Sequence, residues 1–206
     1  AQGPEPSGRP SVRTALASVL DPLRASDSSP LRAARASLHL TGALPDRGVV
    51  VADPGPVGFW IARSAPTAFP GAVCVPATAE PGFAAAAAFV ASLDGRPCLA
   101  VTDDDGAAEE MTRAVLDLAP KVGVGVGLQV WGPDGASMTA DEHVALLAEL
   151  LDGPGGAGVA RSDRVARSDG TVSGGDGNQR VASVAVDLSV PDELVELAGP
   201  VTVWAH

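Results

Sequence analysis

"CLAVTDDDGAAEEMTRAVLDLAPKVGVGVGLQVWG", residues 98–132, is the stretch of the sequence that says most about the fold. The apolar run 98–102 leads into three consecutive carboxylates and an amphipathic segment, and a second apolar run follows at 122–130. Short apolar runs bounded by polar turns are typical of strands that are buried on both faces of a parallel sheet. The stretch therefore predicts a strand, an amphipathic helix at 106–119 with Met111, Val115 and Leu118 facing inward, and a second, parallel strand.

The rest of the chain repeats this alternation of strand and helix. A proline suits the first position of a helix, so Ser29-Pro30 predicts a helix that begins there and runs to about residue 44. We expect a doubly wound α/β fold with five or six strands in a mainly parallel central sheet, and with the runs 48–52, 98–102 and 125–130 in its interior. Further strands are predicted at 72–75, 181–188 and 200–205, and further helices at 80–93, 140–151 and 191–198.

The domain organisation follows from composition and periodicity. A chain of 206 residues fits one domain. Residues 1–29 comprise a polar lead and a short amphipathic helix at 11–25, and residues 30–206 form the α/β domain. Residues 153–180 are rich in Gly, Ser, Asp and Arg and lack apolar periodicity, so they predict a flexible insert.

Charge and residue usage exclude several classes of function. The formal net charge is −11 and no basic patch is present, which argues against nucleic-acid binding. No apolar run reaches the ~18 residues of a membrane span and no signal peptide is visible, so we expect a cytoplasmic protein. Cys74 and Cys98 lack metal-ligand spacing and predict buried free thiols, and His39, His143 and His206 are too scattered to predict a metal site.

Polar residues follow the predicted strands at their carboxyl ends, where open parallel sheets bind ligands. They are Asp53 with Gly55, the run Asp103–Asp105, and Asp134. Aspartates at the start of a helix cap its free N–H groups. Three adjacent carboxylates are also suited to a divalent cation. Both interpretations of the acidic run remain open at this point.

Three further stretches give the chain a resemblance to a known family. They are "VVVADPGPVGFW" (49–60), "EPGFAAAAAFVASLDGRP" (80–97) and the closing "VASVAVDLSVPDELVELAGPVTVWA" (181–205). In this order they resemble the pyrophosphate-binding domain of thiamine-diphosphate enzymes of the acetolactate synthase and benzoylformate decarboxylase type. The resemblance covers roughly residues 30–132 and 181–205 and implies a thiamine-diphosphate-binding-like fold.

The resemblance also implies cofactor and metal residues. By position these are Asp53, Gly55, Thr102, Asp103 and Asp104 beside thiamine diphosphate, with Asp103 as a ligand of magnesium. The sequence departs from the family motif, because the Gly-Asp-Gly of the family is Thr-Asp-Asp here and its Asn pair is Trp-Gly at 131–132. The nearest oxygen ligand that could replace the asparagine is Asp134.

A second alignment, with the pyrimidine-binding domain of the same enzymes, also has to be considered. It implies that Glu80 is the carboxylate that activates the ring of the cofactor, followed by a helix of small residues and by Thr102 22 residues later. Alternatively, Glu80 simply begins a helix next to Pro81.

Two functions follow from the resemblance. The first is a lyase or transferase that acts on 2-oxo acids with thiamine diphosphate and magnesium, as a homo-oligomer or as a hetero-oligomer with a pyrimidine-binding domain. The alternative is a non-catalytic relative that serves as an assembly or regulatory subunit. Because three carboxylates next to a diphosphate repel it, we expect the isolated chain to bind thiamine diphosphate weakly or not at all.

Overall fold

The computed structural model describes residues 11–78, 82–152 and 179–199. Glu80, residues 153–178 of the predicted insert and the predicted strand at 200–205 lie outside these ranges. Within them the chain forms a six-stranded sheet in which every pair of neighbours is parallel, with helices on both faces. The predicted doubly wound α/β fold is confirmed.

The elements follow one another in the predicted alternation. The strands are β1 (Leu31–Arg32), β2 (Val49–Ala52), β3 (Val73–Cys74), β4 (Cys98–Thr102), β5 (Val126–Gly132) and β6 (Gln179–Asp187). The helices are α1 (Val12–Ala25), α2 (Ala33–Ala43), α3 (Pro56–Ser64), α4 (Phe83–Leu93), α5 (Asp104–Ala108), α6 (Glu110–Leu118), α7 (Ala140–Leu151) and α8 (Asp192–Ala198), with a 3₁₀ helix at Ala119–Val122.

The strand order, β1-β6-β5-β4-β2-β3, creates a topological switch point between β2 and β4. From β2 the chain crosses outward to β3, and it then returns to the other side of β2 to form β4 and β5. The connections diverge at this point, so a crevice is expected at the carboxyl ends of the two strands. Ala52 pairs with Val101 there, and Thr102 pairs with Val130 of β5.

Two hydrophobic cores lie on the opposite faces of the sheet. One is built around Trp60 and Trp131 and is covered by α1, α2, α3, α7 and α8. The other packs α4 and α6 against residues such as Val51 and Leu128. The strands β2, β4 and β5 are buried throughout and interior in the sheet, as their continuous apolar character predicts.

The helix predicted to begin at Pro30 begins instead at Ala33. Leu31 and Arg32 pair with Val186 and Asp187 of β6, and the Arg32 guanidinium forms an ion pair with the Asp187 carboxylate. Pairing with a strand that is distant in sequence therefore overrides the local signal for a helix start.

The helix predicted at 106–119 is interrupted at Glu109, whose backbone is extended. The Thr112 hydroxyl donates a hydrogen bond to the Gly106 carbonyl across this break, over 2.7 Å. The break changes the phase of α6, so that Thr112 faces inward together with Val115. Met111 and Leu118, which were also predicted to be buried, are 53% and 43% exposed. Cys74 is also exposed, because β3 is a two-residue strand at the edge of the sheet, whereas Cys98 is buried as predicted.

Candidate functional site

Asp53 lies at the switch point, directly after β2, and only 4% of it is exposed. Its Oδ1 accepts a hydrogen bond from the Ala84 N–H in the first turn of α4, at 2.8 Å. Its Oδ2 accepts from the Thr102 hydroxyl at the end of β4, at 2.5 Å. One carboxyl group thus joins β2, β4 and α4 at the switch point.

The surroundings of Asp53 make its negative charge costly. Burial raises the pKa of the Asp53 carboxyl, and the hydrogen bonds from Thr102 and Ala84 act in the opposite direction. The neighbouring carboxylates Asp103 and Glu109 raise the pKa further by repulsion. The hydrogen bonds from Thr102 and Ala84 are therefore what allows the Asp53 carboxyl group to be buried here.

Gly106 of α5 packs directly onto this pair of residues. A Cβ at this position would lie 2.5 Å from Asp53 Oδ2 and closer still to the Thr102 hydroxyl oxygen. A glycine is required here because α5 approaches polar groups of the protein itself.

The acidic run caps α5. Asp103 is the N-cap residue, and its Oδ1 accepts a hydrogen bond from the Gly106 N–H at 2.9 Å. The predicted capping role is confirmed for Asp103, although the helix begins at Asp104 and not near Gly106. Asp104 and Asp105 are exposed in the first turn, where negative charge is favourable.

The Asp104 carboxylate lies against the end of β5. Since Thr102 pairs with Val130, Asp104 is level with Gly132 in the parallel pair. A Cβ built on Gly132 would come within 2.5 Å of Asp104 Oδ2. The space between the ends of β4 and β5 therefore holds a carboxylate of the protein itself.

The residues of this edge do not fit a magnesium-bound diphosphate. Both oxygens of Asp53 are already bonded, and Asp104 adds a negative charge where the diphosphate would approach. Asp134 is exposed on the turn after β5, and Gly55 is the N-cap of α3 with a φ of 95°. Across residues 11–78, 82–152 and 179–199, no group of three or more His, Cys, Asp or Glu side chains is placed to hold a metal ion.

A second polar centre, which the sequence did not predict, lies between α2, α7 and β5. Arg35 Nε donates to His39 Nε2 at 2.9 Å, and His39 Nδ1 is 3.0 Å from His143 Nδ1. His143 Nε2 lies 3.2 Å from Gln129 Oε1, which also accepts the Trp131 indole N–H at 2.9 Å. His143, Gln129 and Trp131 are fully buried. We refer to these five residues as the histidine network.

The network has one consistent arrangement of protons. Arg35 can only donate, so His39 Nε2 is an acceptor and the proton of the neutral ring is on Nδ1. His39 Nδ1–H then donates to His143 Nδ1, which leaves the proton of His143 on Nε2, where it donates to Gln129 Oε1. The contacts of His39 with Arg35 and His143, and that of His143 with Gln129 Oε1, are satisfied with both rings neutral, whereas the Gln129 amide nitrogen, 3.1 Å from His143 Nε2, is not bonded in this arrangement. An added proton would set two N–H donors against each other.

The acidities of the two histidines agree with this arrangement. Burial, together with the nearby His39, lowers the pKa of His143 to about 3. The pKa of His39 is also lowered, by burial and then by the Arg35 charge, while Asp141 acts in the opposite direction. Both rings are therefore neutral near pH 7.

Two features of the sequence could have revealed the network. Gln129 is a polar residue inside an otherwise apolar buried strand. His143 shares the buried face of α7 with Leu147 and Leu150, at the spacing of core residues. A polar residue in a core position needs a partner, but neither pattern shows which residue that partner is.

A groove beside the network opens at the carboxyl edge of the sheet. Its volume is about 470 Å³, and Arg35 of the network contributes to its wall. Arg35 also lies 3.6 Å from the Asp27 carboxylate across this groove. The groove gives solvent access to the Arg35 end of the network, while the His143 end is closed by the core. It is lined by Asp27, Ser28, Ser29, Arg35, Ser137, Met138, Thr139, Ala140, Asp141 and Glu142.

Comparison of the chain with protein-family models finds no match, and comparison with curated proteins finds none either. Among the described helices, none has the length and apolar character needed to cross a membrane.

Proposed function

We propose that this chain is a thiamine-diphosphate-binding-like domain that serves as a non-catalytic assembly or regulatory subunit. The resemblance relates it to acetolactate synthases and 2-oxo acid decarboxylases. The observation that carries the proposal is the Asp104 carboxylate against Gly132, in the space between the ends of β4 and β5.

Electrostatics supports the loss of tight cofactor binding. Two unit charges about 4 Å apart near a protein surface interact by roughly 4 kcal/mol, and a diphosphate would meet Asp103 and Asp104 together. The family motif has glycine at the second of these positions, which lets the backbone approach the diphosphate. Asp104 therefore removes a close contact and adds repulsion.

The hydrogen bonds at the switch point support the same proposal. Asp53 and Thr102 use their polar groups on each other, on the Val101 carbonyl and on the Ala84 N–H. Little hydrogen-bonding capacity is left there for a ligand. On this proposal, the polar groups that a cofactor domain would use for its ligand stabilise the fold instead.

The second candidate is an active domain that needs a pyrimidine-binding partner. The observation in its favour is the shared edge, because Asp53, Asp103 and Gly132 lie at the carboxyl ends of three neighbouring strands. Its activity would be decarboxylation or carboligation of a 2-oxo acid, with Asp103 and Asp134 as metal ligands. Glu80, the catalytic residue of the pyrimidine-domain alternative, lies outside the described residues.

Calorimetric titration of the full chain with thiamine diphosphate and Mg²⁺ separates the two candidates. We expect no saturable binding at micromolar concentrations. Asp104→Gly should create measurable binding if the Asp104 carboxylate is the obstacle, and Asp105→Gly, its matched control, should not. Saturable low-micromolar binding by the unmodified chain, abolished in Asp103→Ala, would establish the active domain instead.

A further inference from the structure

An exposed apolar stripe runs along the junction of α4, α6 and the 3₁₀ helix. Five of the eight large apolar side chains that are exposed among the described residues lie in it, with between 43% and 63% of their surface exposed. They are Val90 and Leu93 of α4, Met111 and Leu118 of α6, and Val122 of the 3₁₀ helix. Clustered exposed apolar residues of this kind mark interaction surfaces.

The stripe is continuous because the two helices stay side by side along their length. At one end, Gly82 lies so close to Met111 that a Cβ there would be 2.8 Å from the Met111 Cβ. At the other end, the Ser92 hydroxyl donates to the Gly125 carbonyl, just beyond the 3₁₀ helix, at 2.8 Å. The exposed apolar side chains of α4 and α6 therefore lie on two helices that are neighbours on the same face of the sheet.

Four exposed charges alternate in sign along α6 and the 3₁₀ helix that follows it: Glu110, Arg113 and Asp117 of α6, and Lys121 of the 3₁₀ helix. They are three or four residues apart and sum to zero. In the part of the chain that the structure describes, none of the four forms an ion pair. These charges are thus available to a partner.

The order of these charges is self-complementary. When a second copy of the helix is laid alongside in the opposite direction, Glu110 faces Lys121 of that copy and Arg113 faces its Asp117. A twofold axis then generates each pair twice, as an isologous interface requires. The match is specific to the antiparallel arrangement, since a parallel copy would place like charges opposite each other.

We propose that this surface, α6 with the apolar stripe, binds a second copy of the chain about a twofold axis, with the two α6 helices antiparallel. Two molecules of net charge −11 repel each other, and the four charges of this row sum to zero, so the row itself adds nothing to that repulsion. Burial of the stripe drives association, while the charge pairs set its direction. The proposed interface is independent of thiamine diphosphate binding.

Sedimentation equilibrium of the full chain at micromolar concentrations tests the proposal. We expect a dimer. Leu118→Asp should abolish it, because a charge would be buried in the stripe. Val144→Asp is the matched control, since Val144 is exposed to a similar extent on α7 and should leave the dimer intact.

A charge swap tests the antiparallel arrangement. Lys121→Glu places like charges opposite each other twice in the dimer and should raise the dissociation constant at least about tenfold. The double variant Glu110→Lys/Lys121→Glu should bring it back to within about threefold of the original value. Residues 110 and 121 are too far apart along α6 and the 3₁₀ helix for this rescue to arise within one molecule.

Each result bears on the proposal. A chain that is monomeric at every concentration overturns it, as does a dimer that tolerates both Leu118→Asp and Lys121→Glu. A dimer that is weakened by Lys121→Glu but is not restored by the swap overturns the antiparallel arrangement. Circular dichroism and thermal unfolding show whether each variant is folded.

Discussion

The two polar centres both bury ionisable side chains, but they do so with groups of opposite character. Around Asp53, one acidic group is bonded by neighbours that converge at the switch point, and burial raises its pKa. In the histidine network, two neutral rings form a chain of donors and acceptors, and burial lowers the pKa of each. The comparison shows that hydrogen bonds offset the cost of burying a polar group in this protein, whether the group is acidic or basic.

The two centres also differ in what holds them in place. The Asp53 centre joins consecutive strand–helix units at one edge of the sheet. The network joins His39 and His143, which are 104 positions apart in the sequence, and it ties two helices to β5. We therefore expect damage to the network to have the larger effect on the whole fold.

His143→Ala should produce the largest effect on stability. The substitution leaves a cavity, and it leaves the His39 Nδ1–H and the Gln129 side chain without their buried partner. We expect a loss of about 3–4 kcal/mol in the free energy of unfolding, measured by urea denaturation. Val144→Ala, a change at the adjacent exposed position, should cost less than about 0.5 kcal/mol. A loss below about 1 kcal/mol in His143→Ala would show that the network is not a structural centre.

Acidification should have the next largest effect on the free energy of unfolding. The contributions of the two centres to this pH dependence should have opposite signs. His143 has a folded pKa of about 3 against 6.5 in the unfolded chain, so the unfolded state binds more protons between these values. Stability that is fully present above pH 6.5 should fall by up to about 1.4 kcal/mol per pH unit as the pH drops through this window. The raised pKa of Asp53 acts oppositely, since its contribution is present below the unfolded value of 3.8 and is lost as the pH rises through the folded value.

Urea denaturation between pH 7 and pH 4.5 measures these slopes. His143→Gln should flatten the loss of stability on acidification, because it removes the group that gains a proton on unfolding. Asp53→Asn should leave the acid slope of the network in place. Equal slopes in the unmodified chain and in His143→Gln would contradict the assignment of the acid sensitivity to His143.

Breaking the Asp53–Thr102 hydrogen bond should give the smallest effect. Thr102→Val keeps the shape of the side chain and removes the donor to Asp53 Oδ2, and we expect a loss of about 1–2 kcal/mol. A double-mutant cycle with Asp53→Asn isolates the coupling of the pair, expected at about 1 kcal/mol. Additive losses would mean that the two residues stabilise the switch point separately.

The sequence by itself determined the α/β class and the interior strands β2, β4 and β5, and it indicated Asp103 as a helix cap, one of two interpretations of the acidic run. These features depend on local patterns, namely continuous apolar runs and an acidic residue before a helix. The sequence also placed Asp53 and Thr102 at one edge, since parallel strands bring their carboxyl ends together. It did not show that the two side chains are bonded to each other.

Only the tertiary structure decided the features that depend on contacts distant in sequence. Leu31 and Arg32 form a strand because β6 lies beside them, and Met111 is exposed because the break at Glu109 changes the phase of α6. His39 and His143 meet because α2 and α7 pack on the same face of β5. The periodicity of apolar residues in the sequence indicates which side of a helix or strand is buried. Which polar groups form hydrogen bonds with each other depends on how the helices and strands pack.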